Sequence, residues 1–247
     1  MRRDLRRAGR TRRSGRIGWE AIRDDTQVAV QAPQSFTGPP DFWTAVKAAA
    51  DGYRADGQAG QPVRLELWCE TAGMVPQLAR LGSGFGIACF SGGGFDGLVG
   101  KHNAAQRAVA GGRRTRILHL GDFDASGADI ERDWVARTDC WSHVERVLLT
   151  HEQVRDYGLP AAVGKAGDPC WPGFARRYGL AADQPVQWEV EALDPTELQR
   201  LVLSAVAPYV DRRILTEQIA EEERQRGQLR AFTEGWPLNG AVTLLRV

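Results

Sequence analysis

The residues best suited to chemistry in this chain are acids that close apolar runs. Ile117 to Leu120 leads into Gly121-Asp122-Phe123-Asp124-Ala125-Ser126-Gly127, so two carboxylates spaced i, i+2 follow a strand-like run. A second run, Val63 to Cys69, ends in Glu70. Open α/β sheets carry their sites beyond the carboxyl ends of the strands. Three acids on one such edge repel and raise each other's pKa unless a cation sits among them. The pattern therefore predicts a Mg²⁺-type site, in which Mn²⁺ is an alternative. Mg²⁺ prefers hard oxygens and keeps several waters, so few protein ligands suffice. Such a site suits phosphodiester chemistry, in which charge must be neutralised on the scissile phosphate and the leaving oxygen.

Asp122 and Asp124 are the expected metal ligands, with N-capping of the following helix as their competing role. Glu70 is a ligand or a general acid/base. Asp129, about one helical turn on, is an outer-sphere candidate. Glu189 and Glu191 lie at i, i+2 on a predicted strand and so share a face. The expected metal set is Asp122, Asp124, Glu70, Asp129 and Glu191. The run Ser91-Gly92-Gly93-Gly94-Phe95-Asp96-Gly97 could bring backbone N–H groups to a phosphate. It is not a P-loop, because Phe95 replaces the first glycine and His102 the Ser/Thr after Lys101. Gly93, Gly94, Lys101 and His102 are candidates for nucleic-acid contact, with a plain surface loop as the alternative.

The elements that must position these residues alternate. Strands are expected at Val63–Cys69, Gly86–Phe90, Arg116–Gly121 and Val144–Thr150. Helices are expected at Thr71–Leu81, about His102–Ala110 and Ser126–Arg137. This order implies an α/β fold, a parallel sheet of about four strands with helices on both faces. Phe42–Tyr53 has helical spacing, and Ile17–Val30 reads as a helix running into a short strand. Arg155–Pro185 is loop-rich, with Pro160, Pro169 and Pro172. Val186–Val190 is a candidate fifth strand. Asp194-Pro195 resembles a helix start, opening helices over 197–207 and about 213–228.

The chain has 247 residues, 43% hydrophobic and 26% charged, as expected of a protein with a real core. No apolar run reaches membrane-spanning length and no secretory leader is visible, so a cytoplasmic protein is expected. Cys69, Cys89, Cys140 and Cys170 form no C-x-x-C pair and read as small buried residues, with Cys140, His143, His151 and Cys170 a remote metal alternative. Net charge is +1, but residues 1–16 hold eight arginines against one acid, Asp4. This basic arm, Arg12 and Arg13 included, suits contact with nucleic-acid phosphates. A solvated tail or a transit-like leader would have the same composition.

The order strand–Glu70, glycine-rich loop, strand–Asp122-x-Asp124-x-x-Gly127 resembles the Toprim domain of topoisomerases, DnaG-type primases and nucleases related to overcoming-lysogenization-defect proteins. Followed by Asp129-Ile130, it looks most like the DNA-cleaving subunit of topoisomerase VI and its relatives. A set of uncharacterised bacterial and phage proteins is also similar. Their motifs read here Trp68-Cys69-Glu70, Gly121–Gly127, Leu149-Thr150-His151-Glu152-Gln153-Val154 and Glu189-Val190-Glu191-Ala192-Leu193, and Lys165 and Asp168 match further positions. The resemblance covers about residues 63–210. It implies a Toprim (Rossmann-like) domain there, preceded by a basic arm (1–16) and a helical segment (17–62) that looks like a winged-helix remnant. A helical extension (211–247) follows. It further implies metal-dependent hydrolase activity on nucleic acid, DNA above all, a homodimer and an ATPase partner. The topoisomerase VI relatives cleave with a tyrosine upstream of their Toprim domain, whereas no tyrosine here precedes Tyr53. That departure puts tyrosine-linked chemistry in doubt.

Two other classes compete. One is a non-catalytic DNA-binding component of a topoisomerase VI-like complex. The other is a haloacid-dehalogenase-like phosphatase, whose strand–D-x-D-x-T/V motif Asp122-Phe123-Asp124-Ala125-Ser126 approaches. That motif normally opens its domain, and Pro172 stands where a final Asp belongs after Lys165 and Gly167-Asp168.

Overall fold

The structure is a computed structural model and describes residues 33–92, 98–112 and 114–234. The chain divides into two units, 1–45 and 46–247. In the described part of the first, Asp41 accepts from the Thr37 N–H at 2.9 Å, and Phe36 meets Phe42 edge-on at 5.1 Å. This is the start of helix α1 (Pro39–Asp51), which runs into the second unit. The expected arm at 1–16 and the Ile17–Val30 elements lie outside the described residues.

The second unit is α/β. Four parallel strands, β1 (Arg64–Cys69), β2 (Ala88–Ser91), β3 (Thr115–Leu120) and β4 (His143–Leu148), are ordered β2-β1-β3-β4. Leu67 is level with Cys89 on one side and Leu118 on the other. β1 and β3 are therefore central, and their carboxyl ends are adjacent. Crossover helices α2 (Val75–Ser83), α3 (Leu98–Ala110) and α4 (Ala125–Thr138) join the strands. The period of two sorts β1 onto two faces. Leu65, Leu67 and Cys69 enter the main core with Leu78, Leu118, Leu120, Val202 and Val206. Trp68 points the other way, into a smaller cluster with Ala104 of α3 and Ile117.

Beyond the sheet come α5 (His151–Asp156), opened by a Thr150/Gln153 capping box, α6 (Trp171–Tyr178), α7 (Pro195–Val206) and α8 (Arg212–Glu234). Asp194 caps α7 with Pro195 in its first turn, as the local sequence implies. α8 packs back onto the segment before β1. Gln61 and Asp211 exchange two hydrogen bonds of 3.0 and 2.8 Å, and Tyr53 donates to Gln225. The division at 45/46 places residues 46–62 and α8 in the same unit as the sheet. No helix among the described residues is long and apolar enough to cross a membrane.

Three local expectations need correction. The stretch 155–185 is not all loop: it holds α6, and Pro172 sits in that helix's first turn, where no intrahelical bond needs its missing N–H. Val186–Val190 is not a fifth strand of the sheet. Val186–Gln187 (β6) pairs only with Ala162–Val163 (β5) in an antiparallel ribbon, and a 3₁₀ turn, Val190–Ala192, follows. Helix α3 starts at Leu98, four residues before the expected start at about His102.

Candidate functional site

The turn after β3 carries the first two acids. Asp124 is the N-cap of α4, extended in backbone, with its Oδ1 accepting from the Gly127 N–H. Asp122 Oδ1 accepts from the Val190 N–H at 2.8 Å, tying the turn to the 3₁₀ segment. Phe123, between them, exchanges two backbone hydrogen bonds with Trp188 and is buried among aromatic rings. The Asp-x-Asp turn is thereby pinned at its middle while each aspartate commits one oxygen to backbone. Capping and a ligand role coexist at Asp124, because a carboxylate has a second oxygen.

Glu70 follows β1, its N–H bonded to Leu120 O of the neighbouring strand at 3.1 Å. Its carboxylate lies against the turn. A Cβ placed on Gly127 would be 3.0 Å from Glu70 Oε2 and 2.9 Å from Asp124 Oδ1; one on Gly121 would be 3.3 Å from Glu70 Oε2. The two glycines are what let the Glu70 carboxylate approach the turn and Asp124. Burial, then the charges of Asp124 and Asp122, push the Glu70 carboxyl up to about 7, against the pull of Arg146. Asp122 is also raised, first by burial and then by Asp124, Glu189 and Glu191, while the Val190 N–H opposes the shift.

Arg146 is a participant that local sequence does not mark, since it sits inside a strand-like run. Its guanidinium donates to the carbonyls of Asp122, Gly121 and Leu149 and pairs with Glu131 of α4. His119 Nδ1 lies 3.0 Å from the same Glu131 carboxylate. Burial works against ionisation of Glu131, yet His119 and Arg146 hold it below the ordinary range. A guanidinium aimed at carbonyls two dozen residues away leaves no trace in local spacing.

Beside Asp124 opens a cleft of about 190 Å³, lined also by Ser126, Lys165, Asp168 and Gln187. Ser126 Oγ donates to Asp168 Oδ2 at 2.5 Å, and the Cys170 N–H to Asp168 Oδ1 at 2.8 Å. Burial opposes these contacts, but with Lys165 they hold Asp168 below the ordinary range. Lys165 and Asp168, matched in sequence without a role, therefore share a cleft with Asp124.

Other candidates are placed elsewhere. Asp129 pairs with Arg132 on its own helix and is not gathered with the acids. Glu189 and Glu191 do not share a strand face, because Glu191 belongs to a 3₁₀ turn that Glu189 precedes; both are exposed, and their charges reach Asp122 only at a distance. Cys140, His143, His151 and Cys170 form no metal site: Cys140 lies near Thr138, His143 is exposed, His151 stacks on Phe123 and Cys170 adjoins Asp168. His102 is exposed on α3, where Lys101 also lies. Gly93, Gly94, Arg12 and Arg13 fall outside the described residues.

Among the described residues no group of three or more His, Cys, Asp or Glu side chains is arranged to hold a metal ion, Glu70, Asp122 and Asp124 included. Mg²⁺ needs no such group, since one or two carboxylates, waters and a substrate phosphate commonly hold it. The donors at this edge are all carboxylate oxygens, which fits that ion. Comparison with family models, curated proteins and solved structures gives no match.

Proposed function

We propose that the chain is a Mg²⁺-dependent nuclease of Toprim type, acting on DNA phosphodiesters. One observation carries the reading: Glu70 after β1 and Asp122 and Asp124 after β3 meet at the carboxyl edge of two adjacent parallel strands, with mutual repulsion left in place. A cation would relieve that repulsion. Asp122 and Asp124 would hold it through the oxygens not bonded to backbone, with Glu70 as a third ligand or as the group that takes a proton from water. Bound there, Mg²⁺ supplies charge neutralisation at the scissile phosphate and the leaving oxygen.

Water is favoured over tyrosine as nucleophile. Tyr53 donates to Gln225, Tyr157 to Glu197 and Tyr209 to Glu145, while Tyr178 packs among aromatic rings. The test is cleavage of supercoiled plasmid with Mg²⁺, Mn²⁺ or EDTA, beside Asp122→Asn/Asp124→Asn. Asparagine keeps both backbone contacts and removes the charge. Metal-dependent nicking in wild type that the variant lacks supports the reading. Equal inertness with retained DNA binding would leave a non-catalytic binding protein.

A phosphatase of haloacid-dehalogenase type has one observation in its favour, the meeting of Lys165 and Asp168 with Asp124 in one cleft. It leaves the third acid, Glu70, without a task. Hydrolysis of a small phosphomonoester, lost in Asp122→Asn, would choose it over the nuclease.

A further inference from the structure

Behind the Asp-x-Asp turn lies a second cavity, of about 560 Å³, bounded by α4, β4 and α6. The proposed cleavage makes no use of it. Its volume falls in the range of small-molecule sites. Three guanidiniums, Arg132, Arg146 and Arg177, line it against one carboxylate, Glu131. That carboxylate is already paired with Arg146 and faces His119 as well. Arg132 is exposed and pairs with Asp129 one helical turn away, a contact of the weak surface kind. Arg177 is exposed, makes no ion pair among the described residues and lies over the Tyr178 ring at 5.3 Å. The cavity thus holds surplus positive charge at its mouth.

Its wall is aromatic. The Tyr178 ring meets Phe123 edge-on at 4.8 Å and is braced by Phe174 at 4.8 Å and His151 at 5.0 Å. A braced ring under a guanidinium can exchange that cation for a base, and the displaced guanidinium beside it matches phosphate oxygens. We propose that this cavity binds a nucleotide, its base against Tyr178 and its phosphate at Arg132 and Arg177. The nucleotide is free or is an unpaired unit of a strand; the chemistry of recognition is the same. The proposal does not depend on metal-ion cleavage.

The experiment is equilibrium binding to the full chain in EDTA, over a range of salt. The probes are AMP and a fluorescein-labelled ten-nucleotide single strand, with inorganic phosphate as competitor. Wild type is expected to bind, and Arg132→Ala/Arg177→Ala to weaken binding about tenfold or more through loss of two charge-assisted contacts. For the strand, the salt slope should fall by about 0.7, one phosphate contact's worth. Both arginines are exposed, so the fold should survive, which circular dichroism checks. Tyr178→Phe should keep affinity. Toward AMP, Asp122→Asn/Asp124→Asn should bind as wild type does, separating this site from the acidic one. AMP binding identifies a free ligand, and binding of the strand alone identifies a strand; either supports the site. Unchanged affinity in the arginine variant, binding of neither probe, or phosphate competing as well as AMP overturns it.

Discussion

Two glutamates four residues apart, one within β1 and one just past its end, have opposite fates. Glu66, in the middle of β1, is fully buried, yet Arg107 grips both its oxygens at 3.1 Å and Trp68 Nε1 donates to it at 3.0 Å. Arg107 in turn lies over the Phe90 ring at 4.0 Å. Glu70, just past the strand's end, is only half-buried, but two aspartates face it and the cation acting on it, Arg146, is engaged elsewhere. The fold gives Glu66 its counter-charge and withholds one from Glu70. A buried charge with its partner is a structural element, whereas a gathered set of like charges is a site awaiting a ligand.

The sharpest way to break the contrast is to strip Glu66 of its partner. Arg107→Met should cost about 3–5 kcal/mol, the usual penalty for orphaning one member of a buried pair. Urea denaturation reads it, and a loss below about 1 kcal/mol would mean that Glu66 is no more committed than Glu70. Glu70→Gln should act in the opposite direction. Its folded pKa, near 7, lies above the unfolded value, so wild type holds that stability below about pH 4.5 and loses it as pH rises through 7. Without metal the variant should be more stable than wild type at pH 8, by about 1–2 kcal/mol after solvent screening, and equal to it near pH 4.5. Thermal melts across that range check the sign.

Ligand addition sharpens the same contrast. Mg²⁺ at ten times its dissociation constant should stabilise wild type by about 1.4 kcal/mol at pH 8. It should leave Asp122→Asn/Asp124→Asn unmoved, and a shift of equal size in both would place the ion elsewhere. The smallest effect on stability belongs to Gly127→Ala. Alanine ordinarily favours a helix over glycine by up to about 1 kcal/mol, yet here its methyl would press on Asp124 and Glu70. A variant close to wild type in stability, with cleavage reduced at least tenfold, is the expected result; cleavage at wild-type rate would show that the three acids need not gather.

Range decides how much of this is legible in the sequence. Runs such as Val63–Cys69 and Ile117–Leu120 announce buried parallel strands because both faces are covered, and an acid at the end of each marks the edge. Asp194-Pro195 announces a helix through purely local chemistry. The 3₁₀ turn at Val190–Ala192 is invisible there, since Trp188 owes its strand-like partner to Phe123, sixty-five positions earlier. Pro172 reads as a breaker until its place in a first turn is known. Of the site, the acids are legible because charge at a strand end is unusual by itself. Arg146 is not, because an arginine in an edge strand looks like any solvent-facing charge.

Arg146 also sets how the site can move. One guanidinium joins the acid turn, helix α4 through Glu131, and the residue after β4 through Leu149 O. Asp122 and Asp124 therefore form the fixed jaw of a vice, anchored to a strand and a helix at once. Glu70 hangs from a strand end by its own side-chain torsions and is the jaw that adjusts. Differences in grip between ligands of different size should appear at Glu70, with the aspartates holding still.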